Sequence, residues 1–196
     1  MIRRTRANEH DRNGAALRAW HGTLLDRRRF LIAAAGGSVA LLFARPRTAR
    51  AGDFDPWPTL DAVTRHLLPS EPDSPGAAEI HAIDYLRFVI GDPKVDREER
   101  DFLLQGCAWL DDLAQERRGQ PFTALDEPAR EELLRQTAAS PAGENWIATL
   151  LTYVFEALLS APAYGGNPGG IGWRWLEYVP GFPLPGPGTR YPELPL

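Results

Sequence analysis

The chain has 196 residues, of which 43% are hydrophobic and 24% charged, with a formal net charge of −4. Those are the values of one ordinary globular domain. Eleven of the 22 Lys+Arg fall in residues 1–51 beside only three acids, leaving 11 basic against 23 acidic groups in residues 52–196, a net −12. A body this acidic argues against nucleic acid, which demands clustered cations to displace counterions, and against docking on an anionic bilayer surface.

The first element is an address rather than a fold. Asp26-Arg27-Arg28-Arg29-Phe30-Leu31-Ile32 opens an apolar, small-residue run that continues to Ala44, and Ala49-Arg50-Ala51 follows. A basic segment, an apolar stretch and small residues at the −3 and −1 positions describe a secretory signal peptide cleaved after Ala51. The apolar stretch is shorter than the roughly 20 residues that span a bilayer, and Gly36-Gly37-Ser38 interrupts it. Arg27 and Arg28 followed by Phe30 and Leu31 resemble the twin-arginine type, whose cargo crosses already folded. Residues 1–51 are therefore expected to direct the chain to the periplasm. An uncleaved anchor is the alternative.

Residues 52–161 read as a helical domain. After a short linker, Trp57, Leu60, Val63, Leu67 and Leu68 recur at helical spacing until Pro69 stops the run. Ser70 to Gly76 is loop by composition, and a second helix is predicted from Ala77 to Ile90, with Gly91 as its cap. Asp96-x-x-Glu99 forms a capping-box pattern for a long helix ending near Arg118, closed by Gly119. Leu103, Cys107, Leu110 and Ala114 line one stripe of it. A fourth helix starts near Asp126 with Pro128 in its first turn, and turns Leu133 and Leu134 inward. The fifth, Gly143 to Ser160, is the most apolar and is expected to be the spine of the core. No segment alternates with period two, so the fold class is all-α, a bundle of about five helices.

Residues 162–196 hold eight prolines and eight glycines, and read as an extended tail belonging to the same domain, with a turn of helix around Trp173–Tyr178. Its opening run, Tyr164 to Trp175, packs glycines between aromatic residues. Gly165, Gly166 and Gly172 allow tight turns or close backbone approach. Tyr164, Asn167, Trp173 and Trp175 would either anchor a partner or pin the tail to its own helices.

The chemistry-bearing residues are sparse. Cys107 is the single cysteine, so CxxC pairs, haem attachment and iron–sulfur sets are excluded. Its place on the core stripe makes it a buried thiol, an intermolecular disulfide being the sharper alternative. His66 and His81 are the only histidines after residue 51, and neither has metal-ligand spacing. The glycine run lacks the Gly-Lys-Ser/Thr of a phosphate loop, and Pro168 interrupts it. Ser160 is not in G-x-S-x-G, while Asp111-Asp112 and Glu131-Glu132 diverge as neighbours on helices. No catalytic, cofactor or metal residue is expected in this chain.

Pro162-Ala163-Tyr164-Gly165-Gly166-Asn167, then Gly170-Ile171-Gly172-Trp173-Arg174-Trp175-Leu176 and Pro180-Gly181-Phe182-Pro183, resembles the C-terminal signature of the gluconate 2-dehydrogenase small subunit (subunit 3) family. The signal and the leucine-rich helices fit that resemblance. It implies a non-catalytic subunit that aids export, assembly and stability of a large FAD-dependent dehydrogenase of the glucose–methanol–choline type. It also implies a multihaem cytochrome c as a third subunit, with FAD and haem held by the partners. Pro168-Gly169 stands where charged residues are common in the family, and Trp175 where Leu is usual, so the substrate is not carried over from the family name. A stand-alone exported enzyme or small-ligand binder is the alternative from another class, and a purely structural envelope protein a third.

Overall fold

The structure, a computed structural model, describes residues 54–194. The paired arginines and the Ala49–Ala51 pattern lie outside those residues. The described chain is all-α, with six α-helices, short 3-10 turns and no strand among the described residues.

Helix α1 (Trp57–Leu67) begins behind prolines, and the Asp55 carboxylate accepts the Trp57 N–H at 3.1 Å. It ends where Leu68 leaves helical geometry ahead of Pro69, whose ring disfavours helix in the preceding residue. Helix α2 (Ala82–Gly91) starts five residues later than its apolar pattern predicts. His81 is left-handed, with φ +55°, and the Ile80 carbonyl accepts the backbone N–H of Asn167 at 2.9 Å. A distant segment has claimed the acceptor that would have continued the helix backward. Gly91 is the last helical residue rather than a left-handed cap; that end position belongs to Asp92.

Helix α3 (Arg97–Arg118) has Asp96 accepting the Glu98 N–H at 2.8 Å, acids in its first turn and Arg117 and Arg118 in its last. Both charge placements suit the helix dipole. Gly119 closes it at φ +70°. Glu99 reaches across to Tyr153, whose hydroxyl donates to its Oε1 at 2.9 Å. Helix α4 (Glu127–Ala138) is capped by Asp126, which accepts the Ala129 N–H at 3.1 Å. Helix α5 (Pro141–Leu159) starts two residues before the expected Gly143, because Ser140 accepts the Gly143 N–H and Pro141 supplies the first helical residue. Helix α6 (Ile171–Trp175) is a short turn of helix inside the glycine-rich region.

Helix α5 is the spine, touching all five other helices. The main core gathers Leu60, Val63, Leu103, Phe122, Leu133 and Leu150 around the buried Trp146. The Trp146 indole donates to the Leu103 carbonyl at 3.0 Å, and Gly106 on the next turn of α3 makes the room. A Cβ at Gly106 would lie 2.1 Å from the indole nitrogen. A second, smaller cluster sits at the far end of α5, where Val154, Ala157 and Leu158 meet Ala77, Ile80 and Ala82. That cluster is the platform on which the glycine-rich run is built.

Candidate partner-contact site

A helix leaves its last carbonyls without intrahelical partners, and something must satisfy them. At the end of α5 the following chain does so. The Trp173 indole donates to the Leu159 carbonyl at 2.8 Å, and the Asn167 side-chain amide donates to the Ser160 carbonyl at 2.9 Å. The same Asn167 accepts the Gly172 N–H on Oδ1 at 2.7 Å, and it is fully buried. Asn167 thereby ties the end of α5, the start of α6 and the Ile80 turn into one knot.

Glycine is what lets the chain come this close. A Cβ at Gly166 would stand 2.7 Å from the Ala157 carbonyl oxygen, and one at Gly172 only 2.1 Å from that of Leu158. Within the run Gly165, Asn167, Gly169 and Gly170 all have positive φ, a region that asparagine tolerates and glycine enters freely. Helix α6 then ends in a left-handed cap. The Tyr178 N–H returns to the Trp173 carbonyl, the Glu177 N–H to that of Arg174, and the Tyr178 ring packs 6.3 Å from that of Trp173. Glu177 occupies the position glycine usually takes there, at φ +53°. Residues 162–178 are thus wound into turns and helix against the bundle, which departs from the extended tail read from composition. Beyond Glu177 the chain has no further α-helix among the described residues, only bends, a turn and the 3-10 segment Tyr191–Glu193.

Tyr164 stands on the other side of the knot. Its ring meets Phe88 edge-on at 5.5 Å, and its hydroxyl accepts the Tyr191 N–H at 3.2 Å, which returns the distal tail to α2. A shallow apolar cleft of about 330 Å³ lies there, lined by Tyr85, Phe88, Val89, Tyr164 and Tyr191 among others. Tyr85 donates to the Glu156 carboxylate at 3.1 Å. Burial, with Glu156 and Glu99 beside the two hydroxyls, pushes the Tyr85 and Tyr153 phenols well above the ordinary range. Both remain protonated at physiological pH and act as cross-braces between helices.

Cys107 is buried, its thiol directed at the Leu103 carbonyl, and desolvation pushes it up to about 12. A thiol so placed cannot reach a partner's cysteine without unfolding α3. His66 contacts Glu131 at 2.6 Å and His81 lies 3.3 Å from Asp84. Among the described residues no three His, Cys, Asp or Glu side chains are placed to hold a metal ion, and no helix is long and apolar enough to cross a membrane.

The surface next to the knot is apolar. Phe155 and Leu159 project from α5 into solvent, and Trp175, Leu176, Tyr178, Val179 and Phe182 follow on and after α6. Val179 and Phe182 are 82% and 84% exposed.

Residues 55–181 match the family Gluconate 2-dehydrogenase subunit 3. This chain belongs to that family. No curated protein and no solved structure matches it. The family segment spans all six helices and ends at Gly181, so the knot and the first exposed residues of the tail lie within it. Membership in the subunit 3 family is consistent with an accessory subunit of a dehydrogenase complex.

Of the residues singled out by the sequence, the structure brings Gly166, Asn167, Gly172 and Trp173 together, all buried in the knot. Tyr164 is half-buried beside α2 and Gly165 is exposed with its backbone near Asp84, while Trp175 is 43% exposed on the outer side of α6. Phe155, Leu159, Leu176, Val179 and Phe182 are not among the contact residues expected from the sequence, which assigns Phe155 and Leu159 to the core of the fifth helix. The signal for the first two was present: α5 is apolar on more than one face, and such a helix is either buried all round or covered by something else.

Proposed function

We propose that this chain is the non-catalytic small subunit of an exported, FAD-dependent dehydrogenase complex, and that it aids export, assembly and stability of the flavoprotein subunit. The observation that carries the reading is the family match over residues 55–181. Supporting it, the polar groups of the glycine-rich knot are consumed in holding this chain's own backbone, while the adjoining surface is apolar and exposed. On this reading FAD resides in the large subunit and haem c in a cytochrome third subunit. The arginine pair Arg27-Arg28, with Phe30 and Leu31, directs the folded assembly through the twin-arginine route, and cleavage follows Ala51. The mature subunit then works in the periplasm as a rigid body that a partner covers.

The test uses a host strain deleted for this chain. The flavoprotein is expected to accumulate in the cytoplasm, and dye-linked dehydrogenase activity to vanish from the periplasm; complementation restores both. Arg27→Lys combined with Arg28→Lys is expected to fail to complement. Normal periplasmic activity in the deletion strain would refute the reading. Oxidation of sugars or alcohols by the isolated chain with an electron acceptor would replace it with a stand-alone enzyme, for which the cleft beside Tyr85 is the natural site.

A further inference from the structure

The apolar surface beside the knot has a chemistry of its own. Phe155 and Leu159 are one helical turn apart on α5 and share its solvent face. The Leu159 carbonyl accepts the Trp173 indole, so α6 begins against the same end of α5 and carries Trp175 and Leu176 outward. The chain then leaves through Val179 and Phe182. With about 200 Å² for a fully exposed large apolar side chain, the fractional exposures of these six residues amount to roughly 700 Å² of apolar surface. One side of a standard protein–protein interface is about 800 Å².

Charge narrows the choice of occupant. Residues 151–184 carry only Glu156, Arg174 and Glu177 as charged side chains and no lysine. Interface centres are depleted of charge in this way, whereas a membrane-seeking face surrounds its apolar residues with Lys and Arg. Outside residues 151–184, residues 52–196 carry 10 basic against 21 acidic groups, a net −11, so a partner whose contact is rimmed by cations is favoured.

We infer that the face formed by Phe155, Leu159, Trp175, Leu176, Val179 and Phe182 is the docking surface for the large dehydrogenase subunit, meeting an apolar patch rimmed by Lys and Arg. The inference rests on the accessory-subunit reading and adds to it which face is covered. The glycine-rich knot then acts one step back. It fixes the angle at which α6 and Val179 leave α5, and so positions the surface without being the surface.

The experiment uses the full chain with an affinity tag after Leu196, expressed in its host, with FAD released by acid and measured per mole of purified tagged chain. Leu159→Glu and Phe182→Asp each place a charge on an exposed position and are expected to lower recovered FAD at least tenfold, with unchanged helix content by circular dichroism. Arg117→Glu, exposed in the last turn of α3, is the control and is expected to retain FAD. In the wild-type complex, hydrogen exchange over residues 152–184 is expected to slow relative to the chain purified alone. Undiminished FAD with both variants, together with protection elsewhere, overturns the surface and leaves the accessory reading standing. Absence of FAD from the wild-type preparation overturns both. A homodimer of the isolated chain that Phe182→Asp dissociates, with FAD recovery unaffected, assigns the face to a second copy and overturns the partner.

Discussion

Replacing Asn167 by alanine tests the knot where it is most constrained. The side chain is fully buried, its amide donates to the Ser160 carbonyl at 2.9 Å, and its Oδ1 accepts the Gly172 N–H at 2.7 Å. Truncation removes both bonds and leaves a carbonyl and an N–H without partners. An orphaned buried polar group costs about 1–3 kcal/mol, so the pair costs about 2–6 kcal/mol. Alanine at φ +51° adds about 1 kcal/mol of left-handed strain that asparagine largely avoids. Asn167→Gly separates the contributions, because it deletes the side chain while keeping the backbone at ease. It is expected to be about 1 kcal/mol less damaging than Asn167→Ala. Two measurements read the effect: urea unfolding followed by far-ultraviolet circular dichroism, and hydrogen exchange of residues 165–178. The knot can open without the whole bundle unfolding, so exchange at Gly172 and Trp173 is expected to rise first and furthest. An Asn167→Ala protein within about 0.5 kcal/mol of wild type, with unaltered exchange in that segment, would refute the claim that this residue holds the knot.

Three further outcomes are expected. Gly106→Ala drives a methyl group against the Trp146 indole at 2.1 Å and should destabilise the fold by about 1–3 kcal/mol, with a changed Trp emission maximum in the native state. Glu177→Gly relieves a non-glycine residue in a left-handed helix cap and should stabilise by about 0.5–1 kcal/mol in the same urea assay. The hydrogen bond from His66, and Arg135 nearby, hold the Glu131 carboxyl below its usual 4.5; hydrogen bonds from Ser70 and Arg190 do the same for Glu79 and Glu193. A depressed carboxylate contributes stability that is complete above its unfolded value and is lost as pH falls through the folded one. The urea midpoint should therefore decline on acidification below about pH 4.5, and less steeply in Glu131→Gln, whose neutral-pH stability is slightly lower.

The helices were legible wherever their determinants are local. Asp96, Asp126 and Gly119 stop and start helices through contacts within a few residues, and the structure uses them in those roles. The start of α2 was not legible, because the pattern from Ala77 onward is helical and only the arrival of the Asn167 N–H at Ile80 breaks it. The start of α5 could have been read from Ser140-Pro141, an N-cap followed by a first-turn proline, but Gly143 draws the eye as a breaker. The role of Gly106 inside a long helix is not legible locally, because it depends on an indole 40 residues away in sequence, Trp146. In the tail, composition alone ruled out long regular elements and drew attention to Asn167 and the aromatic residues. It could not reveal that the end of α5 leaves two carbonyls whose donors would be Trp173 and Asn167, which folds that part of the tail inward.

The bond from the Asn167 N–H to the Ile80 carbonyl joins two residues 87 positions apart in sequence. During synthesis the turn ahead of α2 and the end of α5 have no finished geometry until residues 162–178 have left the ribosome. The fold is therefore closed last by its C-terminal part, as a drawstring closes a bag. A chain cut short before Asn167 would keep most of its helices yet leave Ile80, Val154 and Leu158 uncovered, a sticky species that cells clear.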